Sequence, residues 1–571
     1  MSRPTVHLLD YVAGNIRSLV NAIEKCGYDV EWIKSPEDVK NAEKIILPGV
    51  GHFGHCLSSL ESSGYLPAIR AHIEAGKPFF GICVGLQALF AGSEEAPHVS
   101  GLNLIPSSLK KFKPTDAEGK RKAVPCIGWN DAILNERQDA VRLPDKTYYG
   151  LSPTSKYYYV HSYFAPYVPG VLESQGWTVA VASYGGEEYI GAIGRDNVFA
   201  TQFHPEKSGA AGLRVIQAFL DGAMWTDPVP PPILTTMPHD LTLSTLSKNN
   251  GLTHRVIACL DVRTNDSGDL VVTKGDQYDV REKTSSKGVR NMGKPVDMAR
   301  KYYLQGADEV TFLNITSFRD CPVQDLPMLE ILRLTSESVF VPLTIGGGIR
   351  DTVDPVTKQQ YSALDIAKLY FSSGADKVSI GSDAVLAAEE YYANDSQLTG
   401  KTGIEAISAA YGRQAVVVSV DPKRVFVEDP TSTSHQTIKT NHPDPATGHA
   451  YVYYACTIRG GRETRDLDVV QLVRAVEAMG AGEILLNSID RDGQNQGYDL
   501  ELIRWVKREV QIPVIASSGA GRPSHFAEVF KMTAVDAALG AGMFHRGEFT
   551  VSQVKDHLIT SGLSVRPFEE S

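Results

Sequence analysis

GADEVTFLNI (306–315) and GAGEILLNSI (480–489) are one pattern written twice: Gly-Ala, an acidic residue at the start of a strand, an apolar run, and Asn near its end. A run that is apolar at consecutive rather than alternate positions is a strand covered on both faces, as in a parallel sheet. The form recurs in RVIACLD (255–261), VPLTIGGGI (341–349), KVSIGS (377–382), AVVVSVD (415–421), IPVIASSG (512–519) and DAALGAG (536–542). Helix-like stretches such as DMARKYYLQGA (297–307) lie between them. About eight such units predict a (β/α)8 TIM barrel. VPLTIGGGI is echoed by IPVIASSGAG, and Asp261 and Asp421 end comparable strands, so the barrel reads as two duplicated half-barrels. A doubly wound sheet needs no such duplication.

Upstream, short apolar runs alternate with amphipathic stretches from Thr5 to about Gly222: TVHLLDYV (5–12), KIILPGVG (44–51), KPFFGIC (77–83) and VFATQFHP (198–205). This is the pattern of an α/β domain. DPVPPPILTTMPH (227–239) is too rich in proline for a helix and suits a semi-rigid spacer. The expected division is therefore a first α/β domain over 1–222, a linker over 223–252, a barrel over 253–560 and a C-terminal tail over 561–571.

A chain of 571 residues exceeds one hydrophobic core. A net charge of −11, without a basic stripe interleaved with aromatics, argues against nucleic acid as a partner. No apolar run approaches the ~18–20 residues that cross a bilayer. The seven cysteines are scattered, with no C-x-x-C pair, which disfavours a disulfide framework or zinc site. No metal cluster or nucleotide-cofactor fingerprint stands out, so neither metal nor cofactor is expected, and the chain reads as cytoplasmic.

Gly81-Ile82-Cys83-Val84-Gly85-Leu86-Gln87 is a G-x-C-x-G elbow between a strand and a helix. Small flanking residues permit the strained turn that exposes a nucleophile, and a helix N-terminus favours thiolate. Gln202-Phe203-His204-Pro205-Glu206 places an imidazole and a carboxylate two residues apart after another strand, the equipment of Cys-His acyl transfer. Gly49-Val50-Gly51 offers backbone N–H groups to an oxyanion. In this order the motifs resemble a class I glutamine amidotransferase over essentially all of 1–222. The resemblance implies Cys83 as nucleophile, His204 as base and acid, Glu206 as its orienting group, and Gln87 as a holder of the glutamine amide. IGWN (127–130) and YYYVHSY (157–163) resemble the histidine-pathway branch. There His161, with Ser162 beside it, is either a glutamine contact or a structural histidine.

Asp261 and Asp421, at the carboxyl ends of strands in opposite halves, can converge on one substrate as an acid-base pair. Gly347, Gly348, Gly381 and Ser382 form one set of phosphate-cradle candidates. Asp492, Gly493, Gly519, Gly521, Ala541 and Gly542 form its counterpart, so a long substrate phosphorylated at both ends is expected. The barrel resembles the cyclase of the imidazole glycerol phosphate synthase family, and the fused order resembles that family's fungal and plant members. The resemblance implies glutamine and PRFAR as substrates, with imidazole glycerol phosphate and AICAR as products, and no obligatory partner subunit. It leaves open which aspartate donates first. Lys274 reads as a lid residue touching substrate or as a solvated loop charge. Arg255, Glu309, Lys377 and Glu483 sit at strand starts; they read as rim charges or, by the resemblance, as a neutral ring gating ammonia from a docked glutaminase. Asn314, Gly381 and Gly542 depart from the pattern of bacterial relatives. Residues 351–362, 386–412 and 427–450 read as inserted surface loops. A sugar-isomerising barrel has no use for ammonia, an amidotransferase with another acceptor does not call for paired phosphate sites, and a silent scaffold has no need of intact catalytic groups.

Overall fold

The computed structural model describes residues 3–9, 15–49, 51–135, 146–228, 246–264, 270–273, 294–314, 323 and 326–569. Val50 and Lys274 lie outside the described residues.

The first half builds an eight-stranded sheet from β1 (Thr5–Leu9), β2 (Asp29–Ile33), β3 (Ile45–Leu47), β4 (Phe79–Ile82), β5 (Ile133–Leu134), β6 (Thr178–Tyr184), β7 (Glu187–Arg195) and β8 (Val198–Thr201). The order is β2-β1-β3-β4-β8-β7-β6-β5. From β2 to β8 neighbours run parallel; β7, β6 and β5 continue antiparallel. The short runs β3, β4 and β8 are buried along their whole length, which makes them the centre of the sheet. Ile82 pairs with Thr201, so the chain leaves β4 and β8 side by side at their carboxyl ends. Cys83 and the 202–206 segment start from that place.

The second half closes into a barrel of β9 (Arg255–Thr264), β10 (Glu309–Asn314), β11 (Leu343–Gly346), β12 (Lys377–Ile380), β13 (Val416–Val420), β14 (Glu483–Asn487), β15 (Val514–Ser517) and β16 (Ala537–Gly540). Each strand runs parallel to the next, and β16 returns to pair with β9. Strand side chains alternate between faces. Ile257 and Cys259 join Val417, Leu485 and Ile515 in an apolar cluster. The same two-residue step puts Arg255 at the start of this face of β9 and Asp261 further along it, roughly 20 Å away at ~3.3 Å per residue.

Of the three stretches read from sequence as surface loops, one is largely helical and the other two are mainly loop with short strands. Residues 386–412 are largely two helices, Ser382–Ala393 and Gly403–Tyr411, the second held by a Thr402/Glu405 capping box. Residues 351–362 carry a two-stranded hairpin. Of residues 427–450 only Val427 and Ile438–Lys439 join a small antiparallel sheet, with the rest of Pro422–Val427, Tyr451–Ile458 and Glu463–Asp468; the remainder of the stretch is loop and turn, as read from sequence. The segment after residue 560 also packs closely: Arg566 is buried, donates to Asp308 Oδ1 at 2.9 Å, and stacks on Trp129 with its guanidinium 4.3 Å from the ring centre.

The first domain seats on the amino-terminal rim of the barrel. Its partners there are residues that precede strands: Trp129 donates to Asp308 O (3.3 Å), Asn15 to Gly374 O (2.8 Å), and the Gly209 N–H to Phe340 O (2.9 Å). Lys207 Nζ, buried, lies 2.7 Å from Asp376 Oδ2. Among the described residues no helix is long and apolar enough to cross a membrane.

Candidate functional site

Cys83 stands at the carboxyl end of β4 with φ 52° and ψ −101°, then passes into a short helix, Val84–Gln87. The left-handed backbone of a non-glycine residue is strained and is kept only where its surroundings enforce it. The flanking glycines explain how: a Cβ on Gly81 would lie 2.5 Å from Gly85 O, and one on Gly85 2.2 Å from Leu47 O. The G-x-C-x-G spacing is thus a packing requirement of the elbow. Gly49 presses on the same turn, where its Cβ would meet Val84 Cβ at 2.4 Å.

His204, from the end of β8, lines the same cavity as Cys83, and its Nδ1 lies 2.8 Å from Glu206 Oε1. Burial pulls the imidazole down, but the Glu206 carboxylate, and after it Cys83, outweigh burial and hold the ring well above its ordinary value. Gln202, which sequence reasoning passed over within its own motif, donates to Cys83 Sγ at 3.4 Å and accepts from Gln87 Nε2 at 3.2 Å. Gln87 also donates to Tyr163 O at 3.1 Å. His161 is pulled down to about 3 by burial, so it is neutral, and Nδ1 lies 3.0 Å from Tyr163 O. Its Nε2 and the Ser162 hydroxyl have no protein partner among the described residues. Both residues line a cavity of about 200 Å³ together with Gly51, Cys83, Gln87 and His204. The far wall of this cavity is barrel chain, including Ser408, Gly412 and Arg413.

The four strand-start charges are buried, which corrects their reading as rim residues: the docked first domain covers them. Arg255 Nη1 lies 3.1 Å from Glu309 Oε2, and its Nη2 binds Glu483 Oε1. Lys377 Nζ donates to Glu309 Oε2 at 2.7 Å and to Glu483 Oε2 at 2.8 Å. The two cations and two anions close a ring in which no side chain is more than 2% exposed. Burial alone would push the Glu483 carboxyl up; Arg255 and then Lys377 hold it below its ordinary value. A cavity of about 40 Å³, lined by His204, Glu206, Tyr158 and Lys377, lies between the thiol site and this ring.

At the opposite end of the barrel, Asp261 and Asp421 line one cavity of about 210 Å³ with Asp492, Gly493, Gly519, Ala541 and Gly542. Burial raises the Asp421 carboxyl, opposed by Asn487, whose Nδ2 donates to Oδ1 at 2.7 Å. Asn487, which ends β14, and His545 and Arg546 also line the cavity and were missed from sequence. The position of Asn487 in the repeated strand pattern was the available signal. His545, brought down to about 4 chiefly by burial, has its Nδ1 2.7 Å from the Tyr302 hydroxyl. Gly521 stands outside this lining, and a Cβ there would lie 2.6 Å from Asn495 Cβ. Gly347, Gly348, Gly381 and Ser382 follow β11 and β12 on the same face of the barrel but do not line this cavity. A Cβ on Gly347 would lie 2.4 Å from Asn314 O, whereas one on Gly348 or Gly381 would meet nothing within 4 Å.

Two families match the chain: glutamine amidotransferase class-I over residues 7–222 and histidine biosynthesis protein over 255–550. The chain is 67% identical over 99% of its length, and 99% of the relative's, to an Emericella nidulans protein named imidazole glycerol phosphate synthase hisHF. A Schizosaccharomyces pombe protein of the same name is 53% identical over 98% of this chain and 99% of its own. The Methanopyrus kandleri imidazole glycerol phosphate synthase subunit HisF is 39% identical over 55% of this chain and 98% of its own length.

Two outcomes follow from the geometry. Replacing Glu206 with Gln removes the largest influence that raises His204, so the imidazolium is lost at a lower pH than in the native chain. The alkaline limb of the kcat/KM profile for glutaminase should move to lower pH, with kcat reduced on the order of 10²–10⁴-fold. Lys377→Met leaves Glu309 and Glu483 sharing one cation. Glutamate formed per imidazole product, measured side by side, should rise severalfold while ammonium-supported cyclisation persists; an unchanged ratio would show that the ring does not govern transfer.

Proposed function

This chain belongs to the imidazole glycerol phosphate synthase family, and on that premise we propose how its residues divide the reaction. It is an enzyme of histidine biosynthesis that unites the glutamine amidotransferase and the cyclase in one chain. In our reading the first domain comprises residues 1–222 and the barrel 253–560, joined through 223–252, with 561–571 as a closing segment.

Glutamine enters the cavity beside Cys83, its side-chain amide next to Gln87 and its backbone groups within reach of His161 Nε2 and Ser162. Cys83 Sγ attacks the amide carbon while N–H groups of the Gly49–Gly51 loop receive the oxyanion charge. His204 passes a proton to the departing nitrogen, the C–N bond breaks, and ammonia leaves a thioester. Water activated by His204 then releases glutamate. Glu206 keeps the imidazole oriented and charged when needed. The observation that carries this reading is the placement of Cys83, His204 and Glu206 at the ends of two paired strands, with unpartnered polar atoms of His161 and Ser162 beside them.

Ammonia moves from the 40 Å³ cavity beside His204 past the ring of Arg255, Glu309, Lys377 and Glu483, then along the apolar barrel interior. PRFAR waits at the other end, with one phosphate by Gly493, Gly519 and Gly542 and the other by Gly348, Gly381 and Ser382. Asp261 and Asp421 move the protons of ring closure and cleavage. Asp421, held toward its neutral form by burial, suits the first donation. We place the enzyme in the cytosol; the six described cysteines, all free thiols, fit a reducing compartment.

The test is glutamate release from glutamine with and without PRFAR, alongside Cys83→Ala supplied with an ammonium salt. PRFAR should raise glutamate release, and the variant should lose glutaminase yet still form imidazole product from ammonium. Glutaminase without product from either nitrogen source would overturn the barrel assignment.

A further inference from the structure

Beside the domain junction, away from both reaction cavities, lies an open groove of about 840 Å³. Its walls come from three parts of the chain: residues 116–122 and 183–186 of the first domain, 248–251 at the end of the linker, and 504–508 with 531–534 on the barrel. Eight lysine and arginine side chains line it against two acidic ones, in a chain whose net charge is −11. Four of the lysines are committed to carboxylates: Lys120 to Glu118, Lys122 to Glu187, Lys248 to Asp131 and Lys507 to Asp536. Asp116 is spent on its own turn, accepting from the Glu118 and Lys120 N–H groups.

The other four cations, Arg121, Arg504, Arg508 and Lys531, have no carboxylate partner among the described residues. Arg121 binds Gln511 Oε1 (3.3 Å) and Arg508 O, and Arg504 Nε donates to Met532 O at 2.7 Å. These contacts go to neutral oxygens and leave the charges uncompensated while holding two guanidinium groups in place. Domain contacts fix the back of the groove: Val124 N–H donates to Gln511 O at 2.9 Å, and Gln511 Nε2 to Pro114 O at 2.9 Å. Three guanidinium forks and one ammonium, partly preorganised, suit phosphate oxygens better than a single carboxylate. The volume lies in the range of sites for molecules larger than one phosphate ion.

We propose that this groove binds a small anion carrying two or more linked phosphates, either a free oligophosphate or a nucleoside triphosphate, which then bridges the two domains. Such a ligand contacts Arg121 on one domain and Arg508 and Lys531 on the other, so its binding stabilises the docked arrangement of the full chain.

The experiment titrates full-length protein at low salt with inorganic phosphate, tripolyphosphate and ATP, reading affinity by calorimetry and the thermal midpoint in parallel. The double variant Arg508→Glu/Lys531→Glu is the comparison; glutaminase and ammonium-supported cyclase rates, outside this groove, report that it is folded. Tripolyphosphate should bind the native chain more tightly than phosphate, weaken as salt rises, and lose at least about tenfold in affinity in the variant, the size of one charge-assisted contact. ATP tighter than tripolyphosphate would identify a nucleotide as the ligand; equal affinities would identify the phosphate chain alone. Absence of binding, or affinity unchanged in a folded variant, would overturn the proposal.

Discussion

Four buried charges hold this molecule's two halves to one purpose. Isolated, each of Arg255, Glu309, Lys377 and Glu483 would pay heavily for leaving water. Together they form a neutral cycle of ion pairs, and Thr344 supplies a further hydrogen bond to Glu309 Oε1 at 2.7 Å. That cycle requires four strands to begin at matched heights, and the barrel's parallel register provides this. It also requires a lid, because an open rim would hydrate the charges and weaken their mutual attraction. The first domain is that lid. Its own anchors, Trp129, Asn15, Lys207 and Gly209, bind to residues that precede the ring strands or their neighbours.

Distance and polarity then follow from strand geometry. Strand β9 starts with Arg255 and carries Asp261 six residues later, with the apolar side chains of Ile257 and Cys259 between them on the same face. Residues from other strands obey the same alternation: Glu483, Leu485 and Asn487 on β14, and Val417, Ser419 and Asp421 leading out of β13. A neutral small molecule crosses such an interior more readily than an ion, so the ring and the apolar interior together favour ammonia over ammonium. The two ends also differ in what burial does. Beside Cys83, a carboxylate outweighs burial and holds His204 toward its cationic form; at Asp421 burial prevails and favours the neutral acid.

Much of this is legible in the residues themselves. The elbow at Cys83, the imidazole and carboxylate of 204–206 and the strand-ending aspartates each carry a local pattern that steric or electrostatic argument interprets. The ring was visible as four charges at strand starts, but their burial depends on a second domain docking over them, which no local pattern encodes. Gln202 was hidden because an amide inside a strand-to-turn segment has no distinctive spacing. The stretch 386–412 reads as a loop because its two helices are short. The glycines at 347 and 519 were read for phosphate, and both also have a steric reason to be glycine, since a Cβ would come within 2.4 Å and 2.2 Å of a neighbouring carbonyl oxygen.

The central claim is that nitrogen travels inside the protein from Cys83 to the aspartate pair. The direct measurement supplies amide-15N glutamine and PRFAR in the presence of excess unlabelled ammonium, at a pH where free ammonia is scarce, and reads the isotope content of the imidazole product by mass spectrometry. The account predicts product that stays almost fully labelled as external ammonium is increased. Label diluted in proportion to the ammonium in solution would mean that ammonia escapes before it is used, and the interior route would have to be abandoned.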